Sequence, residues 1–368
     1  VSFPDDVPLL TDGVVTLRAH RDDDLPRIVE QCNDPESVRW THVPQPYGVA
    51  QARAFLDDRV APNWADDVAW ELAIEHEGRF AGTINLRPHG IGEAEVGFGL
   101  HPDARGRGVM GRALGLLLDW GFTRRDVAVV HWRCLEGNWT SRRTAWSVGF
   151  RFGPTIPGRV GHPDRWTAWL GRDDPRTPTT RWLDPVPLEG DGVRLRAWRA
   201  GDGARLVEAA HDPALRTALP HAPLPRADRE VAGYLLRVGL GAATGERVAW
   251  CVTDAGADFG ADAGRALGNV AVFGFDDGSA EVGFWSHPEG RGRGVMTTAV
   301  GLAVAHALAP AHAGGLGVRR LDLLTAAANR GARAVAERAG FTLVGVERAS
   351  SPTADDGWTD TARYERVG

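Results

Sequence analysis

The chain of 368 residues contains no lysine, and its 42 positions of Lys or Arg are all arginine. That absence excludes a Walker-type phosphate loop, which needs an ammonium group after its glycines. It also excludes Schiff-base and pyridoxal-phosphate lysine chemistry. Cysteine is scarce: Cys32, Cys134 and Cys251 are an odd number without CxxC spacing, so reduced thiols are expected rather than a disulfide framework. No metal-ligand spacing is visible and no metal is expected. Apolar runs stay below about 18 residues, and the opening VSFPDDVPLLTDG lacks the charged and apolar regions of a leader. A cytoplasmic protein that does not span a membrane is expected. The net charge of −6, with both signs interspersed, gives no footprint for nucleic acid or an anionic membrane.

What is present is ordinary core material, 43% apolar and 24% charged, enough for each half of the chain to bury a core. It is also written twice. HPDARGRGVM at 101–110 returns as HPEGRGRGVM at 287–296, and AEVGF at 94–98 returns at 280–284. GVVTLRAHR from Gly13 matches GVRLRAWRA from Gly192. Val68-Ala69-Trp70 matches Val248-Ala249-Trp250, and Asn138 with Gly149-Phe150 matches Asn329 with Gly340-Phe341. The separation grows from 179 residues (Gly13 to Gly192) to 191 (Asn138 to Asn329), which predicts loop insertions in the second copy. These fall in the Ala/Gly/Asp-rich stretch from Asp254 and in APAHAGGLG from Ala309. A Pro-rich, charged stretch separates the copies, so the expected domains are 1–175 and 189–368 with a linker at 176–188.

Each copy reads as an alternating strand, a helix ending at Asp-Pro, and a hairpin (Trp70 to Glu75 and Arg79 to Leu86 in copy one). A strand follows, Glu93 to Leu100, and then the glycine loop. The loop opens a helix from Gly108 or Gly294, followed by a strand, a second helix and Gly-Phe, where glycine suits a left-handed stop. Strand, loop and helix in that order make an α+β or mixed α/β layer. The free N–H groups of the loop and the positive end of the helix suit a pyrophosphate. Gly106-x-Gly108-x-x-Gly111 matches the dinucleotide fingerprint, but several strands precede it and Thr297 replaces the third glycine in copy two, which opposes a Rossmann unit.

Arg105-x-x-Gly108-x-Met110 and Arg291-x-x-Gly294-x-Met296, each after a strand and before a helix, resemble the signature of the Gcn5-related N-acetyltransferases, with Met in the last position. Together with Ala-Glu-Val-Gly before the loop, and Asn138-x-x-Ser141 and Gly149-Phe150 after it, the pattern is most similar to the branch that acetylates N-termini of ribosomal proteins. The resemblance covers nearly the whole chain, twice. It implies two tandem domains, each a mixed, mostly antiparallel sheet flanked by helices. It also implies acetyl-CoA as donor and a primary amine, of a protein N-terminus or a small molecule, as acceptor by direct attack in a ternary complex.

On that resemblance the coenzyme would be held by Leu100, Arg105, Gly106, Arg107, Gly108, Val109, Met110 and Asn138. In copy two the corresponding residues are Arg291, Gly292, Arg293, Gly294, Val295, Met296 and Asn329. Glu95 and Glu281, on the strands feeding the loops, are candidate bases or, alternatively, half-buried strand carboxylates in salt bridges. Ser141 is a candidate acid toward the thiol or the cap of the helix it begins. Copy two has Ala332 and Ala327 where copy one has Ser141 and Glu136, so copy one is the expected seat of catalysis. A non-catalytic or half-degenerate acyl-CoA-binding regulatory protein is the alternative. The two copies could form a pseudo-dimeric monomer, or the chain a homodimer.

Overall fold

The computed structural model describes residues 7–255, 264–353 and 357–368, and the chain divides into two compact units, Val1–Thr179 and Thr180–Gly368. Unit 1 begins with β1 (Leu10–Thr11), β2 (Val15–Arg18), α1 (Leu25–Asn33) and α2 (Pro35–Trp40). A helical stretch follows from α3 (Val49–Ala54) to α4 (Ala61–Ala65). The hairpin β3 (Trp70–His76) and β4 (Arg79–Pro88) leads to β5 (Glu93–Leu100), α5 (Val109–Arg124), β6 (Val129–Leu135) and α6 (Trp139–Ser147). Two strands, β7 (Arg151–Phe152) and β8 (Arg165–Gly171), end the unit. The sheet order is β1-β2-β3-β4-β5-β6-β8-β7, antiparallel throughout except between β5 and β6.

Alternation places Ala94 and Val96 of β5 on the face covered by α5, whose Ala113, Leu114, Leu117 and Leu118 are buried. Each such leucine contributes about 1.5–3 kcal/mol by leaving water. Glu93, Glu95, Gly97 and Gly99 look to the other face, where α1 brings Gln31 beside Gly99. Asp34 breaks the helical run and caps α2 by accepting from the Ser37 N–H at 3.0 Å. After α6, Gly149 has φ 93° and reverses the chain as expected of a left-handed stop.

Unit 2 repeats the plan with β9 (Leu188–Gly190), β10 (Val193–Arg196), α7 (Gly203–His211), α8 (Pro213–Ala218) and α9 (Asp228–Thr244). It continues with β11 (Arg247–Asp254), β12 (Ala266–Asp276), β13 (Ser279–Ser286), α10 (Val295–Leu308), β14 (Arg320–Ala326), α11 (Arg330–Arg338) and the hairpin β15 (Thr342–Pro352) and β16 (Trp358–Val367). Its order is β15-β16-β14-β13-β12-β11-β10-β9, with only β13 and β14 parallel. Two mixed, mostly antiparallel sheets with flanking helices are thus present. No helix among the described residues is long and apolar enough to cross a membrane.

Two sequence readings change in detail. The stretch expected to be a linker is partly packed on unit 2: Leu183 is 3% exposed and its N–H donates to Ala242 O at 2.9 Å, while Trp250 Nε1 donates to Val186 O at 2.9 Å. Trp70 does not correspond to Trp250. Arg18 pairs with Ala73 and Arg196 with Cys251, so the rung of Leu72, not of Trp70, is that of Trp250. A slip of two residues keeps the same face, so apolar pattern alone could not reveal it. Of the insertion expected from Asp254, residues 256–263 lie outside the described residues.

Candidate active site

The site grows from one break in the sheet. β5 pairs with β6 only from Glu93 to Val96, the last rung being Val96 with Trp132, so the half of β5 from Gly97 to Leu100 has lost its neighbour on that side. β13 and β14 share only Ser279 to Glu281 before they part. The freed half of β5 is also bare. It is bare only of its own side chains: a Cβ on Gly97 would lie 2.9 Å from Asn85 Oδ1 and 3.1 Å from Arg87 Nη1, and one on Gly99 would lie 3.2 Å from Gln31 Nε2.

The glycine loop follows directly. Gly106 and Gly108 have φ 72° and 74°, Gly292 and Gly294 have φ 70° and 77°, and a Cβ on any of them would meet nothing within 4 Å. The first backbone bond of α5 runs from Arg112 N to Gly108 O, and that of α10 from Thr298 N to Gly294 O. Among the described residues, no N–H from Gly106 to Gly111 or from Gly292 to Thr297 has an acceptor, so each loop presents a row of free donors. Val109, Met110, Val295 and Met296 turn their side chains into the core and contribute only their N–H groups.

The arginines of the loop point elsewhere. Arg105 Nη2 donates to Asp34 Oδ2 at 2.7 Å, to Ser37 Oγ at 3.0 Å and to Leu100 O at 3.1 Å, and Arg291 holds Asp212 and Ser286 O in the same manner. Arg107 pairs with Glu77, and Arg293 donates to Glu289 O at 3.2 Å and reaches Asp254 at 3.3 Å. The repeated His-Pro explains itself alongside. His101 Nε2 lies 2.9 Å from Glu30 and its Nδ1 lies 3.1 Å from Arg27, while His287 reaches Glu208 at 3.3 Å and Arg205 at 2.9 Å. Both histidines moor the loop to the first long helix of their unit.

Glu95 stands on the α1 face with both carboxylate oxygens engaged: Oε1 accepts from Arg87 Nη2 at 2.5 Å and Oε2 pairs with Arg133. The side chain of Glu281 has no ion pair or hydrogen bond among the described residues. Burial, with Asp322 beside it as a second cause, raises its carboxyl above the usual range. Ser141 lies on the opposite face, where its Oγ accepts from Trp132 Nε1 at 3.2 Å, next to the point where β5 and β6 part. It is not the helix cap. That role belongs to Asn138, whose side chain accepts from Ser141 N at 3.1 Å, and Asn329 does the same for Ala332 N at 3.1 Å.

Two groupings were invisible in the sequence. His89, Glu93 and His131 bring ligand atoms within 4.8 Å of one another, although His131 comes from a strand 38 residues beyond Glu93. Buried His20, whose imidazole burial holds down at about 4, reaches Thr83 Oγ1 through Nε2 at 3.1 Å. The cysteines stay unpaired and inert, burial pushing the thiols of Cys32 to about 11 and Cys134 to about 12.

A strand that parts from its parallel neighbour and runs into a glycine loop at a helix start, present twice, defines the class of this fold. The model of the acetyltransferase (GNAT) domain matches residues 15–151 and again 193–342, and the chain belongs to that family. Among solved structures it is similar to RimL, a ribosomal L7/L12 alpha-N-protein acetyltransferase in complex with coenzyme A, at 18% identity over 50% of this chain and 98% of that one (TM-score 0.42). It is similar to Mycobacterium smegmatis RimJ in complex with CoA-disulfide at 18% identity over 50% of this chain and 86% of that one (TM-score 0.42). The microcin C7 self-immunity acetyltransferase MccE, in complex with acetyl-CoA and AMP, matches at 16% identity over 49% of this chain and 94% of that one (TM-score 0.40). A search of curated proteins finds no match.

Proposed function

We propose that the chain is an acetyl-CoA-dependent N-acetyltransferase that transfers acetyl to a primary amine, of a protein N-terminus or a small molecule, by direct attack in a ternary complex. The observation that carries this reading is the free N–H row from Gly106 to Gly111, continuous with the unpaired half of β5; unit 2 repeats the row and the parted strand, with Trp285 in place of Gly99. The fit to the coenzyme is favourable. Open space lies over the loop glycines, where a pyrophosphate would accept from the N–H groups, and the unpaired strand leaves room for pantetheine amides. Arg105 and Arg291 act in this reading as moorings of the loop, and the amide nitrogens of Asn138 and Asn329 remain for the coenzyme.

Acetyl-CoA supplies the thioester carbonyl that the amine attacks. Glu95 and Ser141 sit on opposite faces of the parted strands, which suits one to the proton of the amine and the other to the departing sulfur. Glu95 would take a proton only by releasing Arg87 or Arg133, or through a water molecule between them. Coenzyme binding without turnover is the reading that Ala332, in place of Ser141, favours for unit 2. Calorimetric titration with coenzyme A, joined to thiol release from acetyl-CoA over a panel of primary amines and short peptides, tests the proposal. Binding with no thiol release on any acceptor would sink it. Glu95→Gln is expected to lower turnover about 10²-fold with coenzyme affinity unchanged, and full turnover would remove Glu95 as base.

A further inference from the structure

Beyond Glu95, the α1 face of the first sheet continues as a strip of small and polar residues. Asn85 lies between Gly97 on β5 and Glu71 on β3, and two rungs further, on the same face, Thr83 lies opposite Gly99. Asn85 is 9% exposed, and neither its Oδ1 nor the buried Oε1 of Gln31 has a hydrogen-bond partner among the described residues. A buried polar atom without a partner is a loss of stability that a ligand's hydrogen bond can remove. Both atoms are acceptors, so the matching ligand brings N–H donors. Glu71, 1% exposed and accepting from Asn63 Nδ2 at 3.1 Å, adds a carboxylate to the same row. Arg87 and Arg133 pair with Glu95, and Arg87 also reaches over Gly97, its Nη1 3.1 Å from where a Cβ would lie, so its positive charge is held beside the strip by that carboxylate.

The rungs of the second sheet supply the equivalent of each residue. Asn269 pairs with Trp285 as Thr83 does with Gly99, and Ala271 lies between Gly283 and Ala249 as Asn85 lies between Gly97 and Glu71. Arg205 and Glu208 contact His287 as Arg27 and Glu30 contact His101, which makes Ala209 the counterpart of Gln31. Trp198 replaces His20, two residues beyond the matched arginines Arg196 and Arg18. Its Nε1 donates to Asn269 Oδ1 at 2.9 Å. Trp198 stacks on Trp285 with centroids 5.9 Å apart and meets the edge of Tyr234 at 6.3 Å, and all three rings are buried. Polar atoms and bare glycine in one unit have become alanine and a closed aromatic cluster in the other.

We infer that unit 1 holds an acceptor site for a primary ammonium group, ligated by Gln31 and Asn85 beside the glycines Gly97 and Gly99. Unit 2 has lost the same site to a plug of Trp198, Trp285 and Tyr234. The inference rests on the proposed acetyl transfer and names the class of its acceptor and the unit that receives it. An amine enters as its cation, donates to the two amide oxygens, and stands on the face that carries Glu95.

The intact chain tests this by thiol release from acetyl-CoA over a panel of primary amines, with coenzyme stoichiometry measured alongside. Gln31→Leu and Asn85→Leu are each expected to raise KM for the amine about tenfold, the effect of one lost hydrogen bond to a charged group, with two coenzymes still bound. Grafting the plug into unit 1 by His20→Trp, Gln31→Ala and Gly99→Trp is expected to end turnover at unchanged stoichiometry. Opening unit 2 by Trp198→His and Trp285→Gly leaves turnover unchanged. An unaltered amine KM in both single variants, or turnover lost on opening unit 2, overturns the site. Wild-type chain that binds coenzyme but releases no thiol on any amine overturns acetyl transfer itself, an outcome distinct from both.

Discussion

In unit 1 Arg105 is tied to Asp34, and His101 to Arg27 and Glu30; in unit 2 Arg291 is tied to Asp212, and His287 to Arg205 and Glu208. A buried Arg18–Asp24 pair, 2.8 Å apart through both nitrogens, has its double in Arg196–Asp202 at 2.7 Å. The face beside the candidate base is different at nearly every position. Arg87 becomes Phe273, Arg133 becomes Leu324, His131 becomes Asp322 and Gly99 becomes Trp285. The duplication has thus kept what orients the glycine loop and rewritten the face beside the candidate base. Proton chemistry and access pull in opposite directions. Glu281, raised by burial and without an ion pair, is better suited to accept a proton near neutral pH, yet it lies beside a plugged face. Glu95 is clamped by two arginines beside an open one.

The largest expected effect separates the two loops. Gly108→Glu and Gly294→Glu each place a carboxylate where the phosphates would sit, on a backbone with φ above 70°. Each is expected to abolish coenzyme binding in its own unit and halve the calorimetric stoichiometry; unchanged stoichiometry would show that the loops are not the site. A second pair asks whether the shared frame is equally important in both units. Asp24→Asn and Asp202→Asn each break a buried two-bond ion pair, Arg18 keeping Glu75 at 2.6 Å, and each is expected to cost its unit about 1–3 kcal/mol in denaturant unfolding. A much smaller loss in one unit would show that its frame has been relieved of that role.

The smallest effect concerns His20 against Trp198, which cannot titrate. The folded value of His20, about 4, lies below the 6.5 of an unhindered imidazole. Above pH 6.5 both folded and unfolded states hold it neutral, and no stability is lost. As pH falls from 6.5 to about 4 the unfolded state binds the proton first, so unit 1 is destabilised progressively over that window. His20→Phe is expected to flatten this part of the thermal midpoint against pH profile. An identical profile in the variant would show that the imidazole protonates in place.

Much of this was legible in the residues. The bounds of β5, Glu93–Leu100, follow from alternation, and the duplicated loop gave two sheets of one plan. What escaped lies in contacts between distant segments. The clamp on Glu95 comes from Arg87 and Arg133, on two different strands, and Gln31 beside Gly99 and Asn85 beside Gly97 come from a helix and a strand that share no motif. Ser141 read equally well as a cap, because Asn138, three residues earlier, offers the same kind of acceptor. The helix α9 and the hairpin of β15 and β16 left no repeated signal, unit 1 having a broken helical stretch and the short β7 in those places.

Sheets usually keep their unpaired strands at the rim, where other chains can pair with them. In each unit here a vacant edge lies in the middle of the sheet, between β5 and β6 or between β13 and β14, walled on both sides by strands that are themselves paired outward. A polypeptide strand could add there only by entering between two strands of a continuous sheet, whereas a rim strand is open along its whole length. The fold thereby obtains the hydrogen-bonding power of an edge strand without its hazard of self-association, and does so twice in one polypeptide.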